Sequence, residues 1–233
     1  MCTNYKTTSR DLVQAMMEVE LPEDWTWPVD IYRDYRAPVI RQAADGRREA
    51  LLASFGMVPK ARIPAGSKDF ATMNARFESV GERHSYKFAW RRSQLCLVPM
   101  TAFDEPCYES GAAVWWGIGM ADQSPFAVAG LWNEWQTAEG PQHSFTQLTV
   151  NADEHPLMRR FHKPGEEKRS IVIVPEAEWD NWLGCRNPEI ARSFMTLFPA
   201  ERMTSWPAPR PKKTRKTEAP PASDAAPAQA DLF

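Results

Sequence analysis

The chain has 233 residues, 43% of them hydrophobic, with 10 Trp and 11 Phe. That is enough for one domain with a substantial core. The net charge of −2 excludes nucleic-acid binding by overall charge, so any such binding needs a local basic patch. No apolar run is long enough to span a membrane, and MCTNYKTTSR lacks the apolar stretch of a secretory signal. A soluble, cytoplasmic protein is expected. Its four cysteines, Cys2, Cys96, Cys107 and Cys185, show no CxxC pairing, so free thiols are expected and no zinc site. No cofactor is expected either.

In chain order, TTSRDLVQAMMEVE places Leu12, Val13, Met16 and Met17 at helical spacing behind a Thr/Ser cap. The runs EALLASFGMV, SYKFAWRR, QLCLVP, AVWWGIGM, PFAVAGLW and SFTQLTV then read as short strands, with turn signals such as ADG, PAG and ADQSP between such runs. PEAEWDNWL and PEIARSFMTLF read as helices that begin with Pro in the first turn. Many consecutive strands with few helices between them predict an α+β fold: a largely antiparallel, curved sheet with flanking helices, not a Rossmann type. No repeat and no glycine-rich phosphate loop is visible. From Pro207 the composition turns rich in Pro and Ala, with Phe233 the one aromatic. The expected division is a globular domain over 1–206 and a disordered tail over 207–233.

Cys2 opens the chemistry. Loss of Met1 would leave an α-amine and a thiol on one residue. Such a residue can act as a hydrolytic nucleophile with its own amine as base. It can instead capture an aldehyde, the amine forming a Schiff base and the thiolate closing on the same carbon to give a thiazolidine. The ordinary pKa values of both groups leave reactive forms of each at neutral pH. A cysteine standing at position 2 by chance is the third reading, since one residue is a weak motif.

Several stretches occur together and in order: the opening MC, MNARFES, LCLVPMTAFDE, FAVAGLW and FTQLTVNADEHPLMRRFHKPGEEKRSIVIV. This set resembles the SRAP family, the SOS response-associated peptidase-like proteins, over nearly the whole globule. The resemblance implies a curved, barrel-like sheet with a basic DNA groove. It implies sensing of abasic sites in single-stranded DNA with covalent crosslinking through Cys2, and it carries a proposed removal of the initiator segment. By the same resemblance, Asn74 would hydrogen-bond near the N-terminal residue and the opened sugar. Arg76 would meet a phosphate, where a guanidinium fork fits well, with Glu78 bracing it. Glu105 would be the general acid and base, a role suited to a carboxyl whose pKa is raised by partial burial. His162 would assist opening of the deoxyribose ring.

The sequence also departs from the family. The usual Cys-Gly-Arg start reads Cys2-Thr3-Asn4, so an arginine commonly used for DNA is missing. Asp104 stands next to Glu105 and adds charge expected to raise its pKa. His162-Lys163-Pro164 is followed by an insertion, GEEKRS. The usual Trp-Gly reads Phe55-Gly56, expected to keep an aromatic face for stacking bases. Lys60, Arg62, Arg76, Arg91, Arg92, Arg159, Arg160 and Lys163 are the candidate cations, and binding through them should weaken with salt.

The final QADLF, with Gln229, Asp231, Leu232 and Phe233, resembles the peptide by which bacterial proteins bind the sliding clamp. Its Leu-Phe pair would fill an apolar pocket, and tethering there would concentrate a lesion sensor where single strands are exposed. A nucleoid-associated monomer is expected. Two other readings remain: an N-terminal-nucleophile amidohydrolase, whose glutamine-site motifs are not found, and a non-catalytic single-strand-binding adaptor on the clamp.

Overall fold

The structure is a computed structural model, and it describes residues 3–210. The strands are β1 (Asn4–Lys6), β2 (Asp30–Tyr32), β3 (Arg36–Gln42), β4 (Arg48–Phe55), β5 (Asn74–Arg76), β6 (Leu95–Met100), β7 (Ala102–Cys107), β8 (Val114–Met120), β9 (Phe126–Thr137), β10 (Gly140–Asn151), β11 (Arg169–Ile171), β12 (Ile173–Val174) and β13 (Met203–Pro207). The helices are α1 (Arg10–Met17), α2 (Lys87–Arg91), α3 (Trp179–Gly184) and α4 (Pro188–Ala191).

Local chemistry accounts for the elements. Helix α1 starts at Ser9, whose side chain accepts from the Leu12 N–H, and stops at Glu18 in a left-handed conformation. Its buried residues are Val13 and Met17, one turn apart. The run SYKFAWRR, expected as a strand, is the helix α2. Its aromatics alternate, but the buried set is Tyr86, Ala89 and Trp90, a helical spacing, while Phe88 is exposed.

The sheets organise around β9 and β10, twelve residues each, which form a hairpin from Gly140↔Thr137 inward. Pairings β10–β4, β4–β3, β3–β6, β6–β9 and β9–β10 close on themselves, so five strands form a ring, as a barrel-like sheet was expected to do. Two joins depart from the antiparallel expectation: β10 runs parallel to β4 and to β5. Gly130 sits where β9 lies between β6 and β10. A Cβ there would come within 2.7 Å of the Thr146 carbonyl and 2.9 Å of the Cys96 sulfur, so only glycine fits.

A second sheet, in the order β13-β8-β7-β1-β2, packs beside the ring. One core cluster includes Tyr5, Phe55, Phe103, Phe145 and Phe161. A second includes Trp90 of α2 with Trp179 and Trp182 of α3. The Trp182 indole N–H donates to the buried Cys96 carbonyl at 2.9 Å, which fixes α3 to β6. No helix among the described residues is long and apolar enough to cross a membrane.

Candidate active site

Strand β7 carries the first functional group. Its sequence, AFDEPC, alternates faces, so Phe103 and Glu105 share one face and Asp104 takes the other. Phe103 joins the core, and Glu105 beside it is 2% exposed. Asp104 accepts from the Asn4 amide at 2.9 Å. The register places Trp116 of β8 directly across from Glu105.

His162 reaches Glu105 from a distant part of the chain. Phe161 forms a bridge to Cys107, and the His162 N–H donates to the Pro106 carbonyl at 2.9 Å. The residue is held at φ 65°, a left-handed conformation uncommon outside glycine. Its ring is thereby brought to Glu105, with Nε2 3.3 Å from Oε2. This is ion-pair distance without the alignment of a hydrogen bond. Among the described residues, neither ring nitrogen of this buried histidine has a hydrogen-bond partner. Buried polar atoms in that state are uncommon and call for a reason. A carboxylate and an imidazole in contact, shielded from water, are equipped to move protons.

Asn74 begins β5, paired with Gln147 of β10, and its carbonyl accepts from the Tyr86 hydroxyl at 3.0 Å. Arg76, at the other end of this three-residue strand, donates to Glu167 at 2.6 Å. The expected brace from Glu78 is absent from this pair. Glu78 instead takes both terminal nitrogens of Arg169, at 2.8 and 2.9 Å. Arg169 also donates to Glu167 at 2.6 Å and to the Thr149 carbonyl at 2.6 Å. Burial is the largest influence on Glu78 and would raise its pKa, but the Arg169 hydrogen bond, a backbone hydrogen bond and the Arg169 charge together outweigh it and the net direction is down. Glu167 is lowered chiefly by its hydrogen bond from the same guanidinium. Both Glu167 and Arg169 lie within the insertion GEEKRS, so the insertion ties the loop after His162 to β5.

The remaining expected residues separate. Arg160 forks onto Glu109 at 2.9 and 3.0 Å and lies over Trp116, 5.1 Å from the ring centroid, so it stands near Glu105. Arg159 and Lys163 are exposed, as are Lys60, Arg62, Arg91 and Arg92. Phe55 is a correction. Its ring is fully buried, stacked on Phe145 at 5.2 Å and edge-on to Tyr5 at 5.3 Å, and has no face left for a base. The alternation of β4 turns it inward, which the Phe-Gly match alone does not reveal. Cys2 and the clamp-type residues Gln229, Asp231, Leu232 and Phe233 lie outside the described residues. Cys96, Cys107 and Cys185 are free and buried, and burial pushes the Cys96 thiol up. No cluster of three or more metal-ligating side chains occurs among the described residues.

A strand ring flanked by a second sheet, with an enclosed carboxylate–imidazole pair beside that sheet, defines a β-rich α+β protein. The family model described as SOS response associated peptidase (SRAP) matches residues 1–211; the chain belongs to the SRAP family. It is similar to a crystal structure of a Bordetella bronchiseptica protein, with TM-score 0.78 and 30% identity, covering 89% of this chain and 99% of that one. A Bacteroides thetaiotaomicron structure shares the fold, with TM-score 0.68 and 19% identity over 88% of this chain and 91% of that one. Among curated proteins the chain is 27% identical over 152 residues to the abasic site processing protein YoqW of Bacillus subtilis, covering 62% of this chain and 64% of YoqW. It is 27% identical over 155 residues to the abasic site processing protein YoaM of the same organism, covering 62% and 63%. The matches thus span less than two thirds of these curated relatives.

Proposed function

We propose that this protein processes abasic sites in single-stranded DNA by capturing the sugar aldehyde on Cys2 as a thiazolidine. The observation that carries this reading is the enclosed Glu105–His162 pair, whose imidazole nitrogens have no hydrogen-bond partner among the described residues. Strand β1 runs antiparallel to β7 with Asn4 bonded to Asp104. The chain therefore enters β1 from the Glu105 end, and Cys2 is two residues upstream of Asn4. The names of the curated relatives point to the same lesion.

In this reading Met1 is removed first, which frees the Cys2 amine. At the lesion, His162 takes the proton of the C1′ hydroxyl and returns one to the ring oxygen, so the closed sugar opens to the aldehyde. The amine nitrogen then attacks C1′. Glu105 carries a proton from that nitrogen to the carbonyl oxygen, giving a carbinolamine. Glu105 then carries the nitrogen's second proton to the hydroxyl, which leaves as water, and an imine remains. The thiolate adds to the imine carbon while the nitrogen takes up the thiol's proton. One C–N and one C–S bond have formed on C1′, and one water has left. The second bond is intramolecular and so forms readily.

The other residues assist. Asn74 hydrogen-bonds the opened sugar. Arg76, Arg159, Arg160 and Lys163 meet phosphates. Trp116, opposite Glu105 and beneath Arg160, replaces Phe55 as the surface for a flanking base. The Cys2 thiol would serve self-processing of the N-terminus, the step that frees the amine. The QADLF end would tether the protein to the sliding clamp.

The test is intact mass spectrometry of the protein before and after mixing with single-stranded DNA carrying one abasic site. Loss of Met1, and a heat-stable adduct of protein plus oligonucleotide minus one water that Cys2→Ala abolishes, is the expected result. Tight DNA binding with no adduct would leave a binding adaptor in its place.

A further inference from the structure

The two ends of the described chain meet on the outer face of the second sheet. Strand β13 lies antiparallel along β8. The Trp206 ring covers Gly117, where an added Cβ would come within 2.6 Å of it, so the close approach of β13 depends on that glycine. Past β13, the Ala208 N–H still donates to the Trp115 carbonyl at 2.8 Å. Arg210 then places its guanidinium carbon 3.3 Å from the Trp115 ring centroid. From there it donates to the Asn4 side-chain oxygen and lies 3.6 Å from the Asp104 carboxylate. Asn4 in turn donates to Asp104. Amide, carboxylate and guanidinium make a closed triangle, with Asn4 fully buried and Asp104 5% exposed. Asn4 is two residues from Cys2, and Asp104 is the neighbour of Glu105.

We propose that residues 208–210 form a clasp over the start of β1, and that Arg210 is a positioning residue for the capture reaction. Strand β1 has only three residues, and short terminal segments are poorly ordered unless tied down. The Asn4–Asp104 bond alone would leave the buried carboxylate with only the more distant Lys6, which is itself bonded to Asp30 at 2.7 Å. Arg210 supplies a nearer cation and locks the Asn4 side chain, two residues from Cys2. The amine and thiol must reach one carbon in sequence, and an error of about 1 Å in such placement costs up to about a hundredfold in rate. The clasp thus acts on the chemical step, through Asn4, and leaves DNA affinity alone. This inference rests on the function proposed above.

The experiment compares the full chain with Arg210→Ala and Arg210→Lys. Crosslinking of single-stranded abasic DNA is followed at increasing DNA concentration. Arg210→Ala should lower the saturating rate by about tenfold and leave the half-saturating concentration unchanged. Arg210→Lys, which keeps a cation near Asn4 and Asp104, should fall between the two. An unchanged saturating rate, or a shift confined to half-saturation, would overturn the positioning role. A second measurement does not depend on the reaction: alkylation by iodoacetamide, read peptide by peptide. Arg210→Ala should speed modification of Cys2 and leave the buried Cys96, Cys107 and Cys185 unmodified. Equal speeding at all four would mean general loosening and would also overturn the proposal. If the unaltered protein forms no adduct, the proposed function fails, while the alkylation pattern still decides the clasp.

Discussion

Arg76 and Glu167 meet at 2.6 Å, joining β5 to the insertion that follows His162. The cation best placed by the sequence to hold a phosphate is therefore already occupied by a carboxylate. Glu167 competes with a DNA phosphate for it. Glu167→Gln removes the competitor, while Arg169 keeps Glu78 and the Thr149 carbonyl. The expected outcome is tighter binding of single-stranded DNA by about two- to fivefold, the range open to a part-exposed ion pair. Fluorescence anisotropy at low salt measures it. If affinity does not change, Arg76 is not a phosphate contact.

The carboxylate–imidazole pair predicts a loss confined to chemistry. Glu105→Gln keeps the shape and removes the proton carrier. His162→Asn is the better probe of the histidine, because asparagine tolerates the left-handed backbone that His162 adopts. Each should slow adduct formation by about a hundredfold or more and leave affinity for lesion-free single strands intact. Parallel gel and anisotropy assays separate the two effects. A variant that crosslinks at the normal rate would take its residue out of the mechanism.

Acid should weaken the Glu78–Arg169–Glu167 cluster. Both glutamates are held below their ordinary range: at Glu78 burial pushes up but is outweighed by the Arg169 hydrogen bond, a backbone hydrogen bond and the Arg169 charge together, and Glu167 is lowered chiefly by its hydrogen bond from Arg169. A carboxyl with a depressed folded-state pKa stabilises the fold above its unfolded pKa and loses that contribution as pH falls through the folded value. Urea midpoints should therefore drop as pH falls from about 5 to about 3. Glu78→Gln should start lower at neutral pH and show a shallower drop over that window. Identical slopes in the two proteins would show that Glu78 does not contribute.

Phe55 offers a test of its corrected role. Phe55→Leu opens space between Tyr5 and Phe145, and should lower stability by about 1 kcal/mol or more in urea unfolding. Affinity for single-stranded DNA should stay the same. A selective loss of DNA affinity at unchanged stability would return Phe55 to the binding surface.

The long amphipathic elements were readable before the structure. FAVAGLW and SFTQLTV form the buried halves of β9 and β10, and the Ser9 cap marks α1. Strands β1, β5 and β11 have three residues each, too few for a period to register, and they form because neighbouring strands accept them. The ring closes through the β10–β4 parallel join, a non-local pairing that no local pattern announces. In the site, Glu105 and His162 were indicated by motif resemblance; their contact depends on the Cys107–Phe161 bridge, which sequence spacing does not suggest. Glu167 and Arg169 were visible only as part of an insertion. Arg210 was hidden because PAPRP reads as the start of a tail, and its partners Asn4 and Trp115 are almost a full chain or a full sheet away.

The Asn4–Arg210 contact joins positions 206 residues apart, so it turns nearly the whole domain into one closed loop. Contacts of that span are entropically among the last to be worth making. During synthesis the chain emerges amino end first, so Asn4 must wait for almost every other residue before its partner exists. On the proposed function, the reactive end of the protein is made first and secured last. Until β13 has been translated and laid along β8, a nascent chain would carry Cys2 without the proposed clasp, and competence for the proposed capture would arrive together with completion of the fold.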